Sequence, residues 1–490
     1  MAERMLQFVR LSQAQPEKRD IAARRSDFGE IYQYGEFDTG AAAQQASRCS
    51  QCGVPFCSVH CPLNNNIPDW LKLTAEGRLE EAYEVSAATN TFPEICGRIC
   101  PQDRLCEGNC VIEKGFESVT IGAVERYITD TAWEKGWVKP PTPRAELPHS
   151  VGIIGAGPAG LAAAEKLRLR GYQVHVYDRY DRVGGLMIYG IPNFKLEKEV
   201  VLRRWEQYKA GGIHFHLDCA VGKDVTLAEL RERHDAVFIA TGVYKARNID
   251  GIGSGLGGIV AALDYLTASN RDNLGDAVPE FTSGALNAQG KRVVVVGGGD
   301  TAMDCVRTAV RQGAAAVTCL YRRDKANMPG SMREVKNAEE EGVEFAWLAA
   351  PEAFVGDAGS AGGGDGQVSG VRAVRMHLGL PDATGRQQVA PIPGSAFTIP
   401  CDLVIKALGF DPEDLPRAFD EPALPVTKWG TLRVHHRTMM TELPGVFAGG
   451  DIVRGASLVV WAIRDGRDAA DQIDAYVKAK VGGKLAVAAE

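Results

Sequence analysis

The sequence lacks any long hydrophobic run, because no apolar stretch in its 490 residues approaches the roughly 20 that span a bilayer. Its first residues, MAERMLQFVRLSQ, also lack the apolar core and cleavage pattern of a secretory signal. Basic residues are not in excess: the net charge is −7 and the pI is near 5.8, which gives no general electrostatic reason to bind nucleic acid. These absences predict a cytoplasmic protein with no membrane and no nucleic-acid partner.

Cysteine is concentrated near the N-terminus. Eight of the 12 cysteines lie between residues 49 and 110. A reducing cytoplasm disfavours structural disulfides, so a clustered set predicts metal binding or redox chemistry. The other four are scattered and are expected to be buried as small apolar side chains; they are Cys219, Cys305, Cys319 and Cys401.

The eight clustered cysteines follow the spacings C-x2-C-x4-C-x3-C and C-x3-C-x5-C-x3-C. Structural zinc usually uses paired C-x2-C knuckles, and only one is present. Eight thiolates suit two [4Fe–4S] clusters at four each. Pro62 and Pro101 each follow a cysteine, as in ferredoxin sequences. The spacing favours iron–sulfur clusters and leaves zinc as the alternative. His60 lies among four thiols and is not expected to be a ligand.

The pattern of predicted secondary structure changes near residue 138. Amphipathic helical patterns precede it, and the segment 138–150 has four prolines and reads as a linker. Strands and helices then alternate, and the plan of residues 150–179 is repeated in residues 291–323. This repetition predicts an α/β protein with parallel sheets. The glycine-rich stretch 355–370 predicts a surface loop.

The first glycine loop, Gly155, Gly157 and Gly160, follows the predicted strand 151–154. These glycines permit the tight turn, the approach of a pyrophosphate and close helix packing. Unpaired N–H groups at the start of the next helix favour the anion. Asp178 closes the second strand, where a carboxylate accepts ribose hydroxyls and repels a 2′-phosphate. The loop therefore predicts a dinucleotide without that phosphate, such as FAD.

The second glycine loop consists of Gly297, Gly299 and Ala302. The strand that follows its helix ends differently from the corresponding strand of the first unit. Arg322 and Arg323 stand about where the first unit has its aspartate. Two guanidiniums suit the 2′-phosphate of NADP. A solvated charge pair is the alternative reading of the two arginines. The second loop therefore predicts an NADPH site.

Two dinucleotide units with an "ATG" strand end and a late "GGD" resemble the flavin disulfide-reductase-like fold. The resemblance implies that the chain leaves the FAD domain, builds the NADPH domain and returns. The predicted divisions are 1–145 for a helical iron–sulfur domain, 146–285 and 399–490 for the FAD domain, and 286–398 for the NADPH domain. No Cys-x-x-Cys follows the first loop, so the active dithiol of true disulfide reductases is absent.

By this resemblance Asp451 contacts the ribityl chain of FAD, and a helix starting near Ser457 points its positive end at the flavin. The stretch 182–192 resembles the one that lies along the flavin in this family. The residues assigned to FAD are Gly155, Gly157, Pro158, Ala159, Gly160, Asp178, Arg179, Gly185, Leu186, Gly450, Asp451, Ser457 and Leu458. Those assigned to NADPH are Gly297, Gly299, Asp300, Thr301, Ala302, Arg322, Arg323, Ala240, Thr241 and Gly242.

The whole chain resembles the small (β) subunits of bacterial NADPH-dependent glutamate synthases. The stretches that carry the resemblance include RCSQCGVPFC, NNIPDWLKL, EICGRICPQDRLCEGNCV, YGIPNFKLEK, GGGDTAMDCVRTA and GDIVRGASLVVWAIRDGR. The resemblance implies that electrons pass from NADPH to FAD, through the clusters, and to FMN on a large subunit that makes L-glutamate from L-glutamine and 2-oxoglutarate. No amidotransferase signature is present, so the chain is expected to supply electrons within a hetero-oligomer.

The N-terminal module also resembles that of dihydropyrimidine dehydrogenase. Carried over by spacing, one cluster takes Cys49, Cys52, Cys57 and Cys110. The other takes Cys61, Cys100 and Cys106, with either Glu125 or Cys96 as its fourth ligand. That family has a glutamine near the place of Glu125, and the departure leaves this ligand open.

Two other functions stay open. One is a related NADPH oxidoreductase whose acceptor is ferredoxin or another catalytic subunit. The second is not an enzyme but a zinc-bearing scaffold with degenerate nucleotide loops. Intact loops and Asp451 argue against the scaffold.

Overall fold

The residues before the linker fold into a helical domain. A computed structural model describes residues 4–249, 251–356, 366–382 and 387–482. Gln7–Val9 forms a 3-10 turn and Phe37–Ala41 a π-helical segment. The other elements of this domain are β1 (Glu17–Lys18), α1 (Ile21–Ser26), β2 (Tyr32–Gln33), α2 (Ala42–Ser47), α3 (Phe56–His60), α4 (Ile67–Ala75), α5 (Leu79–Thr89), α6 (Pro93–Ile99), α7 (Glu113–Phe116) and α8 (Ile121–Glu134). Trp70, Leu71 and Val124 are buried in its core.

After the linker, strands and helices alternate. Up to residue 282 the elements are β3 (Ser150–Ile154), α9 (Pro158–Leu169), β4 (Gln173–Tyr177), α10 (Leu186–Tyr189), α11 (Lys198–Ala210), β5 (His214–His216), α12 (Leu227–Arg233), β6 (Ala236–Ile239), β7 (Lys245–Ala246), β8 (Ile259–Ala261), α13 (Ala262–Asn273) and α14 (Pro279–Thr282). There follow β9 (Arg292–Val296), α15 (Asp300–Arg311), β10 (Ala316–Tyr321), α16 (Met332–Glu340), β11 (Glu344–Trp347), β12 (Ala349–Gly356), β13 (Val368–Pro381), β14 (Gln387–Pro391) and β15 (Phe397–Pro400). The last are β16 (Leu403–Lys406), β17 (Phe410–Asp411), α17 (Leu415–Ala418), β18 (Val446–Ala448), α18 (Asp451–Arg454) and α19 (Val459–Val481).

The first sheet is parallel, with strand order β18-β6-β3-β4-β5. Its central strand β3 reads SVGII and is buried from its second residue onward, as expected for a strand covered on both faces. Strand β18 pairs with β6 in register Val446 to Val237. The chain therefore leaves this sheet and returns to it, which confirms the predicted fold class.

The second sheet is also parallel, with order β11-β10-β9-β16-β8. It includes Ile259–Ala261 and Leu403–Lys406. The second unit was expected to span residues 286–398. Its sheet begins earlier in the chain, with β8, and ends later, with β16. An apolar strand that runs into glycine fits either sheet, and only the long-range pairing decides between them.

An antiparallel sheet of β12, β13, β14 and β15 extends the second unit. Residues 355–356 and 368–370, for which a loop was predicted, lie in β12 and β13 instead. Residues 357–365 of that stretch lie outside the described residues. Across the described ranges, no helix combines the length and apolar character that crossing a membrane requires.

The helical domain packs tightly on the first sheet. Leu63, Phe92 and Ile95 join the same apolar cluster as the residues around β3. In that interface Arg204 donates to both carboxylate oxygens of Glu94, at 2.8 and 2.9 Å. This packing brings the cysteine-bearing domain next to the first nucleotide loop.

Candidate functional site

The first loop leaves an open cradle at the start of α9. A Cβ on Gly155, whose φ is +108°, would lie 2.4 Å from the Ala240 carbonyl oxygen, and one on Gly160 would lie 1.9 Å from the Gly155 oxygen. A Cβ on Gly157 would meet nothing within 4 Å. Gly155 and Gly160 are therefore needed for the turn and the packing, whereas Gly157 leaves space for a ligand at the N-terminus of α9.

Asp178 lies on this cavity and is buried. Its Oδ2 accepts a hydrogen bond from the Ala156 N–H at 2.6 Å, and its Oδ1 accepts one from the Tyr180 N–H at 2.9 Å. Burial raises the pKa of Asp178, and the two N–H donors oppose the rise. The carboxylate thus holds the loop, and each oxygen has a further lone pair for a ribose hydroxyl.

Ala240, Thr241 and Gly242, which the sequence assigned to NADPH, line the first cavity instead. They follow β6, which belongs to the first sheet, so they end beside the first loop. Thr241 Oγ1 is buried and has no hydrogen-bond partner among the described residues. An unpaired buried hydroxyl in a cavity indicates a ligand that supplies its partner.

The returning segment completes this cavity. Asp451 Oδ1 accepts a hydrogen bond from Ser457 Oγ at 2.6 Å. Helix α19 begins at Val459, two residues later than the sequence indicated, and its first residues line the cavity. Four residues outside the FAD assignment also line the cavity: Met187, Tyr244, Val459 and Ala462. Tyr244 has no motif to mark it, whereas the other three lie in the stretches 182–192 and 450–467 that the sequence analysis singled out.

Other residues assigned to FAD surround the cavity. Pro158, Ala159, Leu186 and Leu458 line it. A Cβ on Gly450, whose φ is +74°, would lie 3.0 Å from the Ala159 Cβ. A Cβ on Gly185 would lie 3.0 Å from the Gly157 Cα. Arg179 lies outside, in a wider groove, and donates to Glu413 at 2.9 Å. The open cradle, the unpaired hydroxyl and the helix N-termini fit a dinucleotide.

The second loop repeats the first. A Cβ on Gly297 would lie 2.2 Å from the Ala407 carbonyl oxygen, and one on Gly299 would meet nothing within 4 Å. Asp300 Oδ1 accepts a hydrogen bond from the Ser331 N–H at 2.8 Å, and Ala302 is buried. The second loop therefore also has a cradle at a helix N-terminus, that of α15.

Arg322 and Arg323 follow β10 beside this loop. Arg322 is exposed and Arg323 is half-buried. The Nε of Arg323 is buried without a hydrogen-bond partner in the described part of the chain. A guanidinium with an unpaired buried N–H fits an anionic ligand that completes its bonding.

A cavity of about 260 Å³ lies where the three parts meet. Asp300 and Thr301 of the second loop line one wall, and Leu186 with the residues at the start of α19 line another. The third wall is residues 97–102 of the helical domain, including Cys100. We call this space the central cavity. It brings the second loop, the first cavity and the cysteine domain together.

The first set of cysteines, which is Cys49, Cys52, Cys57 and Cys110, lies at the core of the helical domain, where Cys49 and Cys57 are buried. The four thiols are close together: Cys110 and Cys52 raise the pKa of Cys49, and Cys49 and Cys110 raise that of Cys57. Cys52 likewise raises the pKa of Cys110. Burial is the main cause, and it raises the pKa of Cys49 to about 11 and that of Cys57 to about 12. The side-chain amide of Gln51 donates to Cys49 Sγ at 3.4 Å.

The second set surrounds a smaller cavity. Cys61, Cys96, Cys100, Cys106 and Glu125 all line it. Both candidates for the fourth ligand are therefore present at one place. Glu125 Oε1 accepts hydrogen bonds from the side-chain amides of two asparagines, at 3.2 and 3.1 Å. Burial raises the pKa of Glu125 to about 8.

None of the 12 cysteines, all of which lie in the described ranges, forms a disulfide. Within the described ranges no three His, Cys, Asp or Glu side chains converge on one metal ion. In a [4Fe–4S] cluster each thiolate binds a different iron, so its ligands surround a larger group.

His60 Nδ1 lies 2.9 Å from the Phe56 carbonyl oxygen. Of the scattered cysteines, three are buried as expected, and Cys219 is only half-buried.

Two family models match the chain. The dihydropyrimidine dehydrogenase domain II, 4Fe-4S cluster family matches residues 24–137. The pyridine nucleotide-disulphide oxidoreductase family matches residues 149–466. A solved structure of FprA from Mycobacterium tuberculosis in complex with NADPH is similar over 69% of this chain and 87% of that one, with 20% identity and a TM-score of 0.57. It supports the two-unit fold.

Two relatives are similar over most of this chain. An oxidoreductase of Escherichia coli (strain K12), AegA, is 46% identical over 467 residues, which cover 94% of this chain and 69% of AegA. The glutamate synthase [NADPH] small chain of Azospirillum brasilense is 68% identical over 489 residues, which cover 100% of this chain and 99% of that protein. The chain therefore belongs to the family of glutamate synthase NADPH small chains.

Proposed function

We propose that this chain is the electron-input subunit of a glutamate synthase. In this role it binds FAD at the first cavity, NADPH at the second loop and two [4Fe–4S] clusters at the two cysteine sets. The central cavity is the observation that carries the proposal, since both nucleotide loops and Cys100 border it. NADPH supplies a hydride, flavin can release electrons singly, and iron–sulfur clusters accept them one at a time.

The residues of the first cavity bind and orient the flavin nucleotide. Gly157 leaves its backbone open to the pyrophosphate, and Asp178 accepts ribose hydroxyls. Thr241 and Asp451 offer polar groups along the cavity. The N-terminus of α19 places a positive end beside it, which favours a reduced, anionic ring. No general acid or base is assigned, because hydride transfer depends on positioning.

The residues of the second loop select the nicotinamide nucleotide. Gly299 opens the cradle for the pyrophosphate. Arg322 and Arg323 pair with the 2′-phosphate, and the unpaired Nε of Arg323 supports this role. Asp300 and Thr301 extend from this loop into the central cavity.

Clusters held by the two cysteine sets would carry electrons away in a fixed order. Cys100 and Val460 line both the central cavity and the cavity of the second set. A cluster held by Cys61, Cys100 and Cys106 would therefore be nearer the flavin, and one held by Cys49, Cys52, Cys57 and Cys110 would be further along. We place Glu125 or Cys96 as the fourth ligand of the nearer cluster. The proposed division of the chain is one helical domain for the clusters, one FAD domain and one NADPH domain. Strands β8 and β16 belong to the NADPH domain in this division.

The acceptor in this proposal is the FMN of a large subunit, which makes L-glutamate from L-glutamine and 2-oxoglutarate. The second candidate is an NADPH oxidoreductase that serves ferredoxin or another catalytic partner. The similarity to AegA, which is longer than this chain, favours that candidate as the alternative.

Reconstitution with a large FMN subunit tests the proposal. The purified chain is mixed with that subunit, L-glutamine, 2-oxoglutarate and NADPH. We expect the two proteins to co-purify and L-glutamate to form only when both are present. Reduction of ferredoxin without any glutamate formation would instead support the second candidate.

A further inference from the structure

The dipeptide Phe194–Lys195 lies along one face of α15. Asp304, Arg307 and Arg311 are spaced three and four residues apart and so share that face. Lys195 Nζ donates to Asp304 Oδ1 at 2.9 Å. The guanidinium carbons of Arg307 and Arg311 lie 4.6 and 3.9 Å from the centre of the Phe194 ring. We call the part of the chain that forms the first sheet the flavin unit. A segment of the flavin unit thus contacts α15, the helix of the second nucleotide loop, over two turns.

The contact between Lys195 and Asp304 is largely shielded from water. Their side chains are 14% and 9% exposed. Glu334 Oε2 lies 3.7 Å from the same ammonium and is itself bonded to Arg307 at 2.6 Å. Removing the ammonium would leave Asp304 buried without its cation, so the contact constrains the two units strongly.

Lys195 belongs to a segment that is hydrogen-bonded to residues beside the first cavity. The Nζ of Lys198 donates to the carbonyl oxygens of Met187, at 3.2 Å, and of Ile191. Asn193 accepts a hydrogen bond from the Lys198 N–H at 3.0 Å. These bonds tie Lys195 to the residues that follow Leu186, which lines the first cavity and the central cavity.

The aspartate stands on a part of α15 that is fixed to the second loop. Asp304 is one turn beyond Asp300, the first residue of that helix, which follows directly on the open Gly299. Lys195, Asp300 and Asp304 all line the central cavity. The lysine–aspartate contact therefore sets how far the second loop stands from the flavin side of that cavity.

We propose that Lys195 is a positioning residue for hydride transfer, acting through Asp304 and α15 on the second nucleotide loop. The proposal rests on the proposed function of the two loops. Reacting atoms must come within about 3–3.5 Å, and a misplacement of about 1 Å can cost roughly 100-fold in rate. A lysine that fixes the separation of the two loops therefore controls the rate of flavin reduction without binding the nucleotide.

The test is rapid mixing of the cofactor-loaded Lys195→Met variant with NADPH. Flavin absorbance gives the limiting rate and the NADPH dissociation constant, and long-wavelength absorbance reports nicotinamide stacked on flavin. We expect the limiting rate to fall roughly 100-fold, the dissociation constant to stay unchanged and the stacking absorbance to be lost. Lys195→Arg should restore most of both signals. The control is Lys18→Met, which removes a half-exposed bond to Glu340 at the far end of α16.

An unchanged limiting rate and stacking absorbance in Lys195→Met would overturn the proposal. A rise in the dissociation constant that accounts for the whole loss would also overturn it, since Lys195 would then bind NADPH. If Lys195→Met does not fold, Asp304→Asn removes the same contact from the other side and must give the same loss of rate. A wild-type chain whose flavin NADPH does not reduce would refute the proposed function itself, whatever the variants do.

Discussion

Gly157 and Gly299 are the equivalent residues of the two nucleotide loops. Both have extended backbones that alanine can adopt, with φ of −79° and −88°. Both leave open space where a Cβ would stand. By contrast, the space at Gly155 and Gly297 is closed by a backbone carbonyl, so substitution there breaks the turn. The open pair therefore reports on ligand approach with little disturbance of the fold.

Gly157→Ala should weaken FAD retention and leave NADPH affinity unchanged, whereas Gly299→Ala should do the reverse. Each added methyl group blocks backbone N–H bonds to a phosphate, and such a bond contributes about 1.5–3 kcal/mol, or about 10- to 100-fold in affinity. Flavin content after dialysis and NADPH titration measure the two affinities. Each variant is the control for the other, and equal losses of both nucleotides in either one would contradict the assignment of the loops.

The joint change Arg322→Gln and Arg323→Gln should weaken NADPH binding by roughly 100-fold or more, because two charge-assisted bonds of about 1.5–3 kcal/mol each are lost. NADH lacks the 2′-phosphate, so its affinity should not change. Titration with both nucleotides checks this. Lys325→Gln, which removes a neighbouring pair with Glu339, is the control. Equal weakening of NADPH and NADH would show that the arginines do not recognise the 2′-phosphate, and no weakening of either would mean that they are solvated charges.

At the scale of elements, strands β4 and β5 carry a histidine cluster on the first sheet. His175 Nδ1 lies 3.1 Å from His216 Nε2, and the His175 ring stacks on His214 at 4.8 Å. His234, at the end of α12, accepts or donates at both ring nitrogens, to Ser150 and Tyr177. Burial first, and neighbouring histidines second, lower the pKa of His175 and His234 to about 4.

These shifts predict a loss of stability in acid. The folded pKa lies below the ordinary value of 6.5, so the unfolded chain binds more protons between the two values. Stability present above pH about 6.5 should therefore fall as the pH decreases toward about 4. Thermal unfolding at pH 7 and pH 5 measures the change. The variant His175→Gln with His234→Gln should show a smaller loss than the exposed control His377→Gln, and equal losses would refute the cause.

The alternation of elements made both parallel units predictable, and the glycine spacing located both loops. Membership of β8 and β16 in the second sheet was not predictable, because it depends on the pairing of β16 with β9 and of β8 with β16, which are far apart in the sequence. The same cause misplaced Ala240–Gly242: the strand that precedes them belongs to the first sheet. Lys195 escaped sequence analysis because its partner, Asp304, lies in another domain.

At the scale of the whole molecule, ion pairs whose carboxylates are buried join the three parts. Arg204 of the flavin unit pairs with Glu94 of the helical domain, and the Glu94 side chain is fully buried. Arg24 of the helical domain contacts Glu341 of the second unit at 2.9 Å. Arg333 of the second unit contacts Glu107 beside the second cysteine set. The nucleotide loops and the cysteine sets are thus held in one arrangement.

Arg204→Met should lower the free energy of unfolding by about 3–5 kcal/mol, because it leaves the Glu94 carboxylate buried without a cation. Urea titration of the cofactor-loaded protein measures this. The matched control is Arg372→Met, which breaks an exposed pair with Glu352 and should cost less than about 1 kcal/mol. A loss of similar size in both variants would show that the buried pair does not join the domains.

The most direct test of the electron path is the cofactor content of the chain purified without oxygen, with its visible spectrum before and after NADPH. We expect about eight iron, about eight sulfide and one FAD per chain, since each of the two [4Fe–4S] clusters holds four iron and four sulfide. The proposed electron path also predicts that NADPH bleaches both the flavin and the cluster absorbance. Zinc without sulfide, with bleaching of the flavin alone, would contradict it: the oxidoreductase would remain, but the cysteine domain would not carry electrons.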